Sequence, residues 1–245
     1  MKIASILALA LAAAGVTPAF AVNLVQNGDF ESNGGNGQVG VTTYATGWSV
    51  PADADSYTFL FAPGTADTSG ASGQYGFLGL WGPGNGVANG LPATSPDGGY
   101  YIAQDSDFQQ AAISQTINGL TPGESYTVSF WWAAAQQQNF YGDTASQWQV
   151  SLGADTQSTA FANIASQGFS GWMYQSFTYT ATSSSEVLSF FANGGPPVPP
   201  FALLDGVSLE AAIPEPSTWA MLLTGFAGLG YSGLRAARRR TAALA

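Results

Sequence analysis

Two Asp-x-Asp pairs carry most of the chemistry this chain could perform: Asp53 and Asp55 in PADADSY, and Asp105 and Asp107 in AQDSDFQ. In an extended segment an i, i+2 spacing puts both carboxylates on one side, where like charge raises one pKa. A glycoside hydrolase needs only two carboxylates, roughly 5 to 9.5 Å apart, flanking a sugar. The same pattern in a Gly/Ser-rich loop also serves as a solvated turn or a cation ligand, so both readings stay open. Composition closes most other routes. The chain has no His and no Cys, which removes zinc sites, Ser-His-Asp triads and Cys nucleophiles. No Lys or Arg lies between Ile3 and Leu234, which removes Schiff-base chemistry and the P-loop lysine. GPGNGVANG is glycine-rich but lacks the GK[ST] ending of a phosphate cradle.

Binding is better supplied than catalysis. Sugar rings present C–H faces that stack on flat aromatic rings, while Asn, Gln, Asp and Ser satisfy the hydroxyls. In SYTVSFWWA, Tyr126, Val128, Phe130 and Trp132 share one face, so Trp131 points the other way. In QWQVSLG, Trp148, Val150 and Leu152 form a core face and leave Gln147, Gln149 and Ser151 opposite. Trp131, Gln147 and Gln149, joined by Trp81 and Tyr101, are the candidate ligand-binding set. The alternative for Trp131 is plain packing beneath a loop.

These side chains must be held by strands. The chain runs as short apolar or alternating segments (LVQNGDFE, TGWSV, SYTFLF, YGFLGLW, YYIAQ, ISQTI, WMYQSFTYTA, EVLSFFAN) between Gly, Pro, Asn and Asp, with no sustained helical period. About ten to twelve such strands predict an all-β, antiparallel sandwich. Residues 62–74, 82–98 and 193–200 read as long loops, functional rims or mobile tips.

The 46% hydrophobic and 13% aromatic content supports a folded chain, since aromatics supply the burial that offsets chain entropy. Charged residues make up only 8%, against roughly 25% in ordinary soluble domains. Fourteen acids lie between Asp29 and Glu210 with no base among them. Such a surface repels nucleic acids and anionic membranes, so nucleic acid is excluded as a partner. The acidity serves solubility, or it serves divalent cations, for which carboxylates are hard oxygen ligands.

Both ends read as addresses. Lys2, the apolar run Ile6 to Val16 and Ala19-Phe20-Ala21 have the order of a secretory signal helix over 1–21, cleaved before Val22. Without cysteines, the exported domain over 22–210 holds together without disulfides. Near the C-terminus a linker over 211–218 precedes sixteen uncharged residues, 219–234, and a basic tail over 235–245 with Arg235, Arg238, Arg239 and Arg240. At 1.5 Å per residue that apolar run spans roughly 24 Å, enough to cross a membrane as a single transmembrane helix if Trp219 and the arginines reach the interfaces. The arginines stay cytoplasmic.

Pro214-Glu215-Pro216, the Gly/Ala-rich apolar segment and the terminal Arg cluster together resemble the PEP-CTERM sorting signal. That resemblance implies processing by an exosortase, a membrane transpeptidase of Gram-negative bacteria. The precursor would sit in the inner membrane before delivery to the cell surface or extracellular matrix. A second resemblance rests on NLVQNGDFE, the Trp of TGWSV, SQTINGLTPGESYTVSFWWA and LLDGVSLE, which are similar to the galactose-binding-like jelly roll of family 4, 9 and 22 carbohydrate-binding modules. It implies a jelly-roll sandwich whose first and last strands pair. It also implies a structural Ca²⁺ held by Glu31 and Asp205, with Asp29 and backbone carbonyls completing the shell; Gly206 stands where many relatives carry a second acid. The alternative is that these acids are solvated strand ends. The function expected is a non-enzymatic exported protein that binds, or is embedded in, extracellular polysaccharide in a biofilm or floc. The other readings are a structural or adhesive surface protein without a sugar site, and a two-carboxylate hydrolase.

Overall fold

The computed structural model describes residues 22–51, 56–212 and 225. The expected signal segment over 1–21, Pro214-Glu215-Pro216, the apolar segment over 219–234 apart from Gly225, the arginine tail, and Asp53 with Asp55 all lie outside the described residues. Among the described residues no helix is long and apolar enough to cross a membrane.

The described chain is built from β1 (Gly37–Gln38), β2 (Thr58–Phe61), β3 (Ala71–Gly73), β4 (Gly76–Leu78), β5 (Tyr101–Asp105), β6 (Ile113–Asn118), β7 (Ser125–Gln136), β8 (Thr144–Leu152), β9 (Asp155–Ser158), β10 (Ala162–Ile164), β11 (Met173–Thr180), β12 (Ser185–Gly195) and β13 (Pro200–Ala211). One sheet has the order β1-β2-β5-β13-β7-β11, a second the order β10-β8-β12-β6 with β9 beside β8, and β3 and β4 form a separate hairpin. From β5 to β8, and again from β11 to β13, each strand lies in the other sheet from the one before it. That wrapping is the jelly-roll sandwich, and every pairing of named strands is antiparallel.

The period-two pattern decides what lies between the sheets. Tyr126, Val128, Phe130 and Trp132 of β7 are buried in one cluster with Trp148, Val150 and Leu152 of β8 and Leu188 and Phe190 of β12. Phe130 meets Phe190 edge to face at 5.2 Å between centroids, a favoured aromatic geometry. Two polar tips inside this core are satisfied: the Trp148 indole donates to the Leu203 carbonyl at 3.0 Å and the Tyr179 hydroxyl to the Val150 carbonyl at 2.6 Å.

The expected loops over 62–74 and 82–98 and the expected strand YGFLGLW between them form one segment, and the strand is short, β4. The segment folds over the outward face of the six-stranded sheet and carries its own core, in which Ala66, Ala71, Leu78, Leu80 and Leu91 pack on Phe59, Phe61, Tyr101, Ala103, Ala135, Phe201 and Leu203. The physical reason is that these sheet residues are apolar on both faces, so one half of the outward face needs a cover. Leu78 and Leu80 lie in the expected strand YGFLGLW, whereas Gly, Ser and Pro spacing hides Ala66, Ala71 and Leu91. The short turn Pro83–Asn85 is the one helical element of this cover.

The expected first strand, LVQNGDFE, is not a regular strand. Asn27 and Phe30 adopt positive φ values of 52° and 55°, which break the strand conformation. The segment still lies along β13: Leu24 N–H donates to Leu209 O at 2.8 Å, and Val207 N–H to Gly28 O at 2.9 Å. A Cβ at Gly28 would stand 1.9 Å from the Val207 carbonyl oxygen, so only glycine allows this approach. TGWSV contributes a single bridge, Ser49 to Ser114. At the other end β13 runs to Ala211, and Ala212 N–H is bonded to Ser125 O, slightly beyond the expected boundary at 210.

Two adjacent residues test this account of the cover. Leu78 is fully buried while Phe77 is 81% exposed. Leu78→Ala is expected to cost about 2–5 kcal/mol, the range for a buried leucine, and Phe77→Ala to stay within about 0.5 kcal/mol. Urea denaturation monitored by tryptophan fluorescence measures both, and comparable losses would contradict the cover's packing.

Candidate functional site

The side chains that combine exposure, concavity and chemistry meet at one end of the sandwich. Four segments converge there: the tip of the β3–β4 hairpin, the loop after β5, the loop after β7, and the turn before β13. They enclose a cleft of about 390 Å³. Tyr57 lies at its base just before β2, Tyr75 and Phe77 come from the hairpin, Phe108 from the loop after β5, and Gln137 and Phe140 from the loop after β7; Pro197 and Pro199 complete the wall. The rings contact one another: Tyr57 lies 5.5 Å from Phe108 and 6.0 Å from Tyr75, and Tyr75 lies 6.0 Å from Phe108. Tyr57 is buried, whereas Tyr75, Phe77, Phe108 and Phe140 are exposed.

Hydrogen bonds fix the hairpin tip. Gln109 Nε2 donates to the Tyr75 hydroxyl at 2.8 Å, and Gln74 Nε2 donates to Gln109 Oε1 at 2.6 Å. Gln74 N–H also donates to the buried Gln38 Oε1 at 2.8 Å. The turn closes at Gly76, whose φ of 100° is a conformation that side-chain-bearing residues avoid.

Asp105 and Asp107 have different roles despite their spacing. Asp105, the last residue of β5, pairs with Phe201 of β13 and is only 1% exposed. Its Oδ1 accepts the N–H groups of Asp107 at 2.9 Å and Phe108 at 3.1 Å. Its Oδ2 is buried without any hydrogen-bond partner. Burial pushes its pKa up to about 7; the two backbone donors pull it down, and the neighbouring Asp107 charge pushes it up again. Asp107 is exposed at the rim of the cleft. Burial also raises the Tyr57 phenol, helped by Asp105 and Tyr75.

The expected ligand set does not assemble. Tyr101 is 1% exposed within the core beneath the cover, so it has no surface for a ligand. Trp81 is also buried, and its indole N–H is used by the Phe140 carbonyl at 2.9 Å. Trp131 does face outward from the six-stranded sheet, half-buried against Tyr174 at 5.3 Å. Gln147 and Gln149 face outward from the other sheet. The outward faces of two packed sheets point in opposite directions, so Trp131 and these glutamines stand on opposite sides of the molecule. The five residues are therefore not brought together in one place. Sequence reasoning missed Tyr57, Tyr75, Phe77, Phe108 and Phe140. The available signal was their position in turns such as GQYGF and DSDFQ, where no alternating core pattern accounts for a large ring.

Of the expected calcium ligands, Glu31 lies near enough to Asp205 for its charge to act on it, but the oxygens are held by protein donors. Asp205 is fully buried; its Oδ2 accepts from Ser95 Oγ, and its Oδ1 from Gly206 N–H at 2.8 Å. Glu31 Oε1 accepts the Tyr100 N–H at 2.5 Å. Asp29 lines a shallow depression with Asn23, Asn27, Asp97 and Glu210. Both Asp205 oxygens are thus engaged by donors. Among the described residues no group of three or more His, Cys, Asp or Glu could hold a metal ion. Burial raises Asp205 to about 8; its Ser95 and Gly206 donors oppose this, and the charges of Asp97 and Glu31 add to it.

Comparison with known proteins gives the following. A protein-family model described as "Protein of unknown function (DUF642)" matches residues 89–201. No curated protein matches the chain. Among solved structures, TmCBM61 in complex with beta-1,4-galactotriose is 16% identical, with 78% of this chain and 99% of that chain covered at a TM-score of 0.44. A CBM4 structure is 17% identical, with 76% and 98% covered at 0.34. The N-terminal CBM22-1-CBM22-2 tandem domain from Paenibacillus barcinonensis Xyn10C is 12% identical, with 83% and 49% covered at 0.42.

The two buried acids set a pH dependence. Asp105 and Asp205 have native pKa values raised to about 7 and about 8, so between the ordinary carboxylate value near ~4 and these values the native state holds protons that the unfolded chain has released. Stability must then fall as pH rises through that window. Glu186, lowered by donors from Thr182 and Ser183, acts oppositely and only in more acid solution. Thermal unfolding is expected to give a higher Tm at pH 5 than at pH 8.5, and Asp205→Asn to flatten the slope. A Tm that rises over this interval would contradict the neutral burial of these acids.

Proposed function

We propose that this protein is an exported, non-catalytic glycan-binding protein that engages extracellular polysaccharide through the aromatic cleft at the end of its sandwich. The observation that carries the reading is the set of exposed rings, Tyr75, Phe77, Phe108 and Phe140, gathered around one concave site. Exposed rings in a concave setting fit the C–H faces of sugars, and Gln137 and Asp107 at the same site fit their hydroxyls. Export and delivery to the surface or matrix of a Gram-negative cell rest on the signal-like N-terminus and on Pro214-Glu215-Pro216 with its apolar segment and arginines. In this reading an exosortase removes the tail and the released or re-anchored domain adds glycan contacts to a biofilm or floc.

One observation favours hydrolysis as a second reading: Asp105 is raised to about 7, a value suited to a general acid. The local geometry opposes it. Asp107 is tied to Asp105 through its own backbone N–H, so the pair belongs to one tight turn, whereas hydrolysis needs carboxylates on either side of a sugar.

Isothermal titration against soluble matrix polysaccharides distinguishes these readings. Tyr75→Ala and Phe108→Ala are each expected to weaken binding about tenfold, the loss of roughly one stacking contact, while Trp131→Ala leaves it unchanged. The wild type should release no reducing ends. Loss of binding only in Trp131→Ala would move the site to the open sheet face, and reducing ends lost in Asp105→Asn would establish the hydrolase. For export, intact-mass measurement of the secreted protein is expected to show a chain that begins at Val22 and lacks Arg235–Arg240. A secreted chain that keeps the arginines, from cells with a working exosortase, would refute the sorting reading.

A further inference from the structure

The cleft holds a buried acceptor that the protein itself does not satisfy. Asp105 lines the aromatic cleft, and its buried Oδ2 has no hydrogen-bond partner. An unmet buried acceptor carries its full desolvation cost, and such a group beside a cavity points to a partner supplied from outside. The chain has no cation to offer, since no Lys, Arg or His lies between Ile3 and Leu234. The titratable groups that act on Asp105 are the Asp107 carboxylate and the Tyr57 phenol, with the Tyr75 phenol beyond Tyr57, and none is basic.

The rings reinforce the sign. The face of each aromatic ring is negative, and cages of Tyr, Phe and Trp around an acid attract ammonium groups, more strongly where water is excluded. Because Asp105 is 1% exposed, the charge it carries when ionised acts on the cleft with little solvent screening. A neutral hydroxyl could exchange a hydrogen bond with the carboxyl here, but only a cation also engages the negative ring faces and the charge that Asp105 carries once it ionises.

We propose that the cleft selects an amino sugar, whose free ammonium group sits over the buried Asp105 against the rings of Tyr75, Phe77 and Phe108. This rests on the reading of the cleft as a glycan site and names the sugar class it takes. The cation favours the ionised carboxylate, so binding expels the proton that burial otherwise keeps on Asp105. Affinity for a cation that does not itself titrate therefore rises with pH from about 5 to about 8.

The test uses the mature protein and three probes: a glucosamine oligosaccharide, the same oligosaccharide N-acetylated, and tetramethylammonium, followed by titration calorimetry and by NMR of the cleft residues at fixed high ionic strength. The amine form is expected to bind about tenfold tighter than the acetylated form. Asp105→Asn should abolish that margin, and tetramethylammonium should compete for the cleft with affinity that rises with pH. Asn keeps an acceptor for the Asp107 and Phe108 N–H groups, and Phe77→Ala, at an exposed position, provides a second variant that should weaken the amine form without unfolding. Equal affinity for amine and acetyl forms, both lost in Phe77→Ala, would overturn the amino-sugar inference and leave the glycan reading intact. An amine preference that persists in Asp105→Asn would overturn the assignment to this carboxylate. Binding of tetramethylammonium with neither oligosaccharide bound would overturn the glycan reading and the amino-sugar inference with it.

Discussion

The six-stranded sheet is apolar on both faces over half its length, and the rest of the molecule follows from covering the second face. Phe59, Phe61, Tyr101, Ala103, Ala135, Phe201 and Leu203 cannot face water as a contiguous patch without a penalty that grows with area. The 62–98 segment supplies the cover through a few anchors, Leu78, Leu80 and Leu91 among them. Once seated, it fixes the β3–β4 hairpin beside the loop after β5, and so brings Tyr75 and Phe77 against Tyr57 and Phe108. The cleft is therefore an edge of the second core where the cover ends.

The same edge explains Asp105. Its strand partner is Phe201, a member of that core, so its carboxyl is drawn out of water by packing rather than by a charge partner. A chain with bases would answer a buried acid with an ion pair. This domain has none, and its buried polar groups are met by amides and hydroxyls instead: Gln38 by Ser56 and Gln74, Gln104 by Thr58, Ala111 and Ala192, Gln136 by Gly142, Val198 and Gln167. Against this background Asp105 Oδ2 is one of two exceptions among the described residues, the other being Trp172 Nε1, and Asp105 is the one that lines the cleft.

Legibility in the sequence followed local pattern. The alternation in SYTVSFWWA and QWQVSLG placed Phe130 and Trp148 inside and Trp131 and Gln149 outside, because a strand's period of two is a local property. The first strand was misjudged because Asn27 and Phe30 turn left-handed, in a turn where the Asn27 side chain bonds Ser32 and Thr46, which alternation does not record. The cover was legible only in YGFLGLW, which holds Leu78 and Leu80: Ala66, Ala71 and Leu91 are spaced by Gly, Ser and Pro, and what makes them core is the apolar outer face of strands far away in the chain. Grouping Trp131 with Gln147 and Gln149 failed because alternation tells which face of a strand a residue occupies, but not which of two sheets the strand joins. Asp105 was legible as a reactive group and illegible as a solitary one, since its orphan oxygen is a property of the assembled edge.

What the cleft can do follows from how rigidly it is held. Its hairpin tip is tied by Gln109 to Tyr75, by Gln74 to Gln109 and by Gln38 to the Gln74 backbone, and its floor is a strand end locked between β2 and β13. Rings fixed before a ligand arrives lose little entropy on binding, so a modest number of stacking contacts yields usable affinity. Catalysis on a sugar would ask more of the same parts: a second carboxylate placed across the ring, with room for water or for a covalent intermediate. Asp107 leaves the same tight turn that its own N–H makes to Asp105 Oδ1, so the two acids start from one side of the cleft. The arrangement keeps one acid dry and the rings in place, which suits selection of a ligand by charge and shape more than its transformation.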